Sequence, residues 1–131
     1  MNGSDAQAWV AKADSDRLNI ENNLGAERIP WDTVCYHAQQ IAEKMLKACL
    51  VFRGVQPPKT HDLLRLLRDC QKSGTDLSDL ADDCSLLLQY AALSRYPGSF
   101  EYSEKLGRDA HAASLRVYER VVHLLAEKDE K

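Results

Sequence analysis

A chain of 131 residues, 44% hydrophobic and 28% charged, fits one folded domain, read as 1–131 with a core over about 5–126. A net charge of −3 and a pI near 5.8 exclude the broad basic footprint of a protein that coats nucleic acid, while leaving room for a local basic patch. No apolar run approaches the roughly 20 residues of a membrane span, and the N-terminus lacks a basic-then-apolar leader. The expectation is a cytoplasmic protein with no membrane contact.

The first helix is predicted from about Ser4 to Leu24. Ser4 with Gln7 makes a capping box, and Ala6, Trp9, Ala13, Ile20 and Leu24 recur at near-helical spacing. Gly25 and Pro30 mark a connecting loop. Asp32 or Thr33 then caps a second helix that ends at Gly54, a natural residue for the position after a helix. Its apolar positions Val34, Ala38, Ile41, Met45, Cys49 and Phe52 form one broad face, the clearest amphipathic pattern in the chain.

Pro57 and Pro58 stiffen the path into a short third helix, started by Thr60, carrying four leucines at 63, 64, 66 and 67 and closed by Gly74. A fourth helix is expected over Asp76–Leu93, with Leu77, Leu80, Ala81, Cys84, Leu87, Leu88 and Ala91 as its stripe. Tyr96-Pro97-Gly98-Ser99 reads as a tight turn. Ser103 caps the last helix, whose Leu106, Ala110, Ala113, Val117, Val121 and Leu124 again follow the helical period, and a charged tail follows. No segment shows sustained strand alternation, so the fold class is all-α: an antiparallel up-and-down bundle of about five helices.

Cys35, Cys49, Cys70 and Cys84 form no C-x-x-C pair and have no His beside them at zinc spacing. They read as four reduced, core-filling thiols, and neither a metal nor a cofactor is expected. There is no nucleophile elbow and no Gly-rich phosphate loop.

The second helix reads Cys35-Tyr36-His37-Ala38-Gln39-Gln40-Ile41-Ala42-Glu43-Lys44-Met45-Leu46-Lys47-Ala48. This string resembles the signature helix of the HEPN family, the higher eukaryote and prokaryote nucleotide-binding domain. Gly54, Pro57-Pro58, Thr60-His61-Asp62-Leu63, Arg95-Tyr96-Pro97 and the opening Trp9, Ala13 and Asp16 fall in the family's order. The resemblance implies a helical bundle that pairs with itself, often beside a minimal nucleotidyltransferase, with a nucleotide or RNA as ligand. It also implies an alternative, since one branch of the family are metal-independent ribonuclease toxins of toxin–antitoxin pairs. That branch uses an Arg followed after four to six residues by His. Arg95 occupies the Arg position, but no His follows it at that distance, and the balance falls on a binding module over an enzyme. Arg116 and His123 do satisfy the spacing, within the last helix, where such a pair arises easily by chance.

On a helical wheel, His37, Gln40, Lys44 and Lys47 share one sector beside the apolar face, an arrangement suited to gripping a phosphate. The plainer alternative is a solvated face, with Glu43 and Lys47 as an ordinary i,i+4 pair and His37 bonded to a neighbouring helix. Lys44, read as exposed, should be removable at little cost in stability. Arg95 and Tyr96, ahead of a tight turn, join the expected ligand-binding set. His61 reads as a packing residue in the first turn of the third helix, and His111 as surface. Leu86, Leu115 and Phe100 look hard to hide in one small domain and suggest a homodimer.

Overall fold

A computed structural model describes residues 2–93 and 101–129, and among them every regular element is helical. The elements are α1 (Asn2–Leu24), α2 (Trp31–Phe52), α3 (Leu63–Lys72), a 3-10 turn (Ser78–Leu80), α4 (Ala81–Leu88), α5 (Tyr90–Leu93) and α6 (Glu104–Asp129). The all-α bundle expected from the periodicity is the fold observed.

Helix ends follow local chemistry, with three departures from expectation. α1 already runs at Asn2, so Ser4 lies inside it. α2 starts at Trp31 behind Pro30, with Asp32 and Thr33 in its first turn and the Asp32 carboxylate accepting the Thr33 N–H. α3 is capped by Asp62, whose Oδ1 accepts the N–H groups of Leu64 and Arg65, while Thr60 Oγ1 accepts from Asp62 itself. The expected C-terminal glycines hold. Gly54 and Gly74 take φ of 81° and 101°, and Val55 N–H to Leu50 O and Thr75 N–H to Cys70 O close the Schellman pattern. Ser103 Oγ accepts the Leu106 N–H, as its capping role requires.

The expected fourth helix is divided. Asp76 Oδ1 accepts the Ser78 N–H in a turn, a 3-10 segment follows, and Gln89 separates α4 from α5. Ala81 is exposed, and Tyr90, absent from the predicted stripe, is wholly buried.

α2 packs against all five other α-helices, most extensively against α1 and α6. It is buried on nearly every side rather than amphipathic, with polar Gln39, Glu43 and Lys47 enclosed among its apolar residues. Its direction relative to its neighbours follows from the pairs that meet. Trp9 lies by Lys47 and Asp16 by His37, so α1 is antiparallel to α2. Trp31 crowds Gly107 at the start of α6, where an added Cβ would collide with the indole, so α6 runs in α2's sense. Arg116 meets Asp83 and Arg120 meets Asp79, which sets α4 against α6. α3 departs from strict alternation: His61 meets Glu43 before it and Cys70 reaches the Leu46 carbonyl near its end, so it follows α2's direction. The non-helical stretch through Pro57 and Pro58 carries the chain back to make this possible.

All four cysteines are free and wholly buried. Burial pushes the Cys35 thiol up to about 11 and the Cys84 thiol up to about 12.

Candidate functional site

α1 presents Trp9, Ala13, Asp16 and Ile20 at steps of three and four residues, which places them on one face. That face lies along α2, and Ala13 and Ile20 are completely buried in the contact. Asp16, only 5% exposed, is therefore a carboxylate set into an apolar seam. Such a charge needs partners to be tolerated. α2 supplies two: His37 Nδ1 stands 2.6 Å from Oδ1, and Lys44 Nζ stands 2.5 Å from Oδ2.

A second buried carboxylate lies on α2 itself. Glu43 takes Lys47 Nζ at 3.0 Å on Oε2, and His61 Nδ1 at 2.8 Å and Gln39 Nε2 at 3.2 Å on Oε1. Burial alone would raise this carboxyl. The bonds from His61, Lys47 and Gln39 outweigh burial and hold it below the ordinary carboxylate range. Gln40 donates to Gln39 Oε1 at 2.8 Å, so the network reaches the surface. Lys47 Nζ lies 5.5 Å from the centre of the Trp9 ring, a cation–π contact that ties the cluster to α1.

The predicted sector thus divides between two anchors. His37 and Lys44 converge on Asp16, Lys47 serves Glu43, and Gln40 buttresses Gln39. The Glu43–Lys47 pair does form, but out of solvent. Lys44 is no free surface lysine, because its partner is buried; removing it would leave Asp16 with His37 alone. His61 stands just ahead of α3, with a side chain 61% exposed and its Nδ1 fixed by Glu43. Arg95, Tyr96 and the tight turn predicted at Tyr96-Pro97-Gly98-Ser99 lie outside the described residues. Asp16, Glu43 and Gln39 carry the site, and sequence reasoning missed them as ligands or anchors. The available signal was register: Asp16 falls midway between Ala13 and Ile20 on an apolar face, and Gln39 and Glu43 flank Ile41 and Ala42 in an otherwise buried run.

Comparison with protein families agrees with the signature string on this helix: the HEPN domain family matches residues 6–128. The chain belongs to the HEPN family. No curated protein and no solved structure matches it. Membership makes it a nucleotide- or RNA-related module of a family whose domains commonly dimerise. Among the described residues of this HEPN domain, no helix is long and apolar enough to cross a membrane, and no three His, Cys, Asp or Glu side chains gather into a metal-holding group.

Arg116 and His123 come together on the other side of the domain, in a shallow cavity of about 360 Å³ between α4 and α6. Asp83 takes Arg116 through both Nε and Nη2, at 2.8–3.1 Å, and Arg120 pairs with Asp79. With Glu119, three carboxylates face two guanidiniums there. His111, read as surface, is half-buried, and burial lowers its imidazole below the ordinary range against the opposing pull of Glu21. Leu86 packs against the core and Leu115 is half-buried, while Phe100 lies outside the described residues. Among the described residues, the exposed large apolar side chains are instead Leu18, Val55 and Val122.

Proposed function

We propose that this HEPN domain is a binding and interaction module: a homodimer that associates with a small nucleotidyltransferase and takes a nucleotide or RNA phosphate at the α1–α2 seam. The observation that carries the reading is the shared anchoring of His37 and Lys44 on buried Asp16. Lys44 spends one of its three N–H donors on Asp16 and keeps the others at a partly exposed position, beside His37 and Gln40. Held donors need little further ordering to receive an anion. Lys47 completes the set from behind, fixed by Glu43, and Arg95 and Tyr96, outside the described residues, are proposed as further ligand contacts on the family resemblance alone.

The ribonuclease-toxin alternative finds less support. No His follows Arg95 at the family's spacing, and the Arg116 charge is committed to Asp83 in an acidic cavity that disfavours a phosphodiester. Metal-independent RNA cleavage that disappears in folded Arg116→Ala or His123→Ala variants would restore it.

The test of the seam must separate binding from folding. A double variant, Asp16→Asn with Lys44→Gln, removes both charges together and leaves no unpaired carboxylate. Calorimetric titration with a nucleoside monophosphate is expected to show about tenfold weaker binding or more, since charge-assisted contacts contribute on the order of 1.5–3 kcal/mol each. Binding by the native protein should also weaken with salt, and Lys12→Ala should change little. A folded double variant that binds as tightly as the native protein would remove the seam from the ligand site. Light scattering that gives a monomer at micromolar concentration would defeat the homodimer, and co-purification from the native host tests the nucleotidyltransferase.

A further inference from the structure

The seam opens into a groove at the C-terminal end of α2. Asp5, Ala8 and Trp9 of α1 face Val51 and the segment 54–57, and together they line a space of about 430 Å³. Trp9, Val51, Val55 and Pro57 give it flat or apolar walls. Asp5 and Gln56 are exposed and bring a carboxylate and an amide to its rim. Lys47 holds the indole of Trp9 from the seam side. Back along α2 from Val51, Lys47 and Glu43 follow at four-residue steps of about 6 Å each, on one helix face. The second step ends at the exposed imidazole of His61. An aromatic-walled slot with an acidic rim therefore leads, over two helical turns, to the part of the seam where Lys47 is paired with Glu43 and the His61 imidazole is exposed.

We propose that this groove is a nucleobase subsite and that the base it selects is guanine. A carboxylate offers two acceptor oxygens and no donor. It fits a ring edge that presents adjacent N–H donors, as the N1–H and N2–H groups of guanine do. Adenine offers its amino group beside an acceptor nitrogen, and uracil sets carbonyls on either side of its N–H, so both bring oxygen or nitrogen lone pairs toward Asp5. Asp5 repels phosphate, which orients the ligand with its base in the groove and its phosphate toward Lys47 and His61. Trp9 supplies the face on which the base stacks. The orientation rests on the seam being the phosphate site, but the base subsite is tested without any phosphate.

Guanosine, adenosine, guanosine monophosphate and ribose 5-phosphate are titrated calorimetrically into the full chain, its Asp5→Asn variant and its Trp9→Leu variant. Guanosine is expected to bind at least about fivefold more tightly than adenosine, and Asp5→Asn to erase that preference. Loss of base stacking in Trp9→Leu should weaken guanosine by about fivefold or more. Trp9 also packs on the core; if Trp9→Leu does not fold, Asp5→Asn at its exposed position decides alone. Guanosine that fails to bind, or that binds Asp5→Asn as tightly as the native chain, overturns the subsite. Guanosine binding with no gain from the phosphate of guanosine monophosphate keeps the base subsite and removes the seam as phosphate site. Ribose 5-phosphate binding where guanosine does not bind keeps the seam as phosphate site and removes the base subsite.

Discussion

The α1–α2 seam and the α4–α6 face use the same kinds of side chain to opposite ends. On the α4–α6 face, an exposed Arg116 meets a partly covered Asp83, and Arg120 meets an exposed Asp79. At least one charge of each pair stays in solvent, and such pairs contribute about 0–1 kcal/mol. In the seam, Asp16 and Glu43 are each about 5% exposed, and each is held by more than one donor. A buried carboxylate costs several kcal/mol to desolvate unless its partners are in place. Charge pairing on the outer face is an accessory to a fold already made. In the seam it is a condition of packing α1 on α2, and it leaves imidazoles and amide groups oriented at the surface as a by-product.

The strongest way to break this contrast is Glu43→Ala. It leaves the Lys47 ammonium buried with no anion, and a loss of about 2–4 kcal/mol is expected, seen calorimetrically as a fall in Tm of roughly 10 °C. A change no greater than that of a surface substitution would mean Lys47 finds water, and the contrast would collapse. The pH dependence of Glu43→Gln sharpens the same point. The Glu43 carboxyl titrates lower in the folded chain than in the unfolded one, so between those values the unfolded state binds more protons. The stability that Glu43 adds is present above the ordinary carboxylate range near 4.3 and is lost as pH falls through the lower folded value. Denaturation of native and Glu43→Gln chains should therefore differ most near neutral pH and converge in acid.

Lys44→Ala is expected to cost less, about 1–2 kcal/mol, because His37 stays on Asp16 and the lysine is partly exposed. Pairing it with Asp16→Asn should recover much of that loss, a coupling that a double-mutant cycle reads directly. Arg116→Ala stands at the small end. It should change stability by no more than about 1 kcal/mol by denaturant titration; a larger loss would place the α4–α6 face in the same class as the seam.

Much of the fold is legible in the sequence because its signals are local. Gly54 and Gly74 end helices for a backbone reason that no neighbour alters, and the apolar spacing of α6 holds from Ala110 through Val121, after which Leu125 rather than Leu124 enters the core. The start of α3 is ambiguous by two residues because Thr60 and Asp62 are both good caps, and only geometry chooses Asp62. The division after Leu88 leaves no mark in the predicted stripe, which passes from Leu88 to Ala91 without a break. The site is half legible. His37, Gln40, Lys44 and Lys47 stand out as a sector of one helix, but their anchors depend on a partner helix 21 to 28 residues away in sequence for Asp16 and on the approach to α3 for His61. Wheel projections describe one helix at a time. Nothing in them says that the polar edge of α2 is covered, so Glu43 and Lys47 read as solvated surface.

The central place of α2 also bears on how the chain reaches its fold during synthesis. α1 and α2 can meet as soon as both have emerged, since a short loop joins them and their contacts are close in sequence. The side of α2 that meets α6 has no such early partner, because roughly 75 residues separate the end of one helix from the end of the other. At about 5–20 residues per second, that interval is several seconds or more. For that time a helix carrying Ile41, Met45, Leu46 and Leu50 has one apolar wall missing, and the growing chain is most open to chaperones and to wrong partners just before α6 arrives.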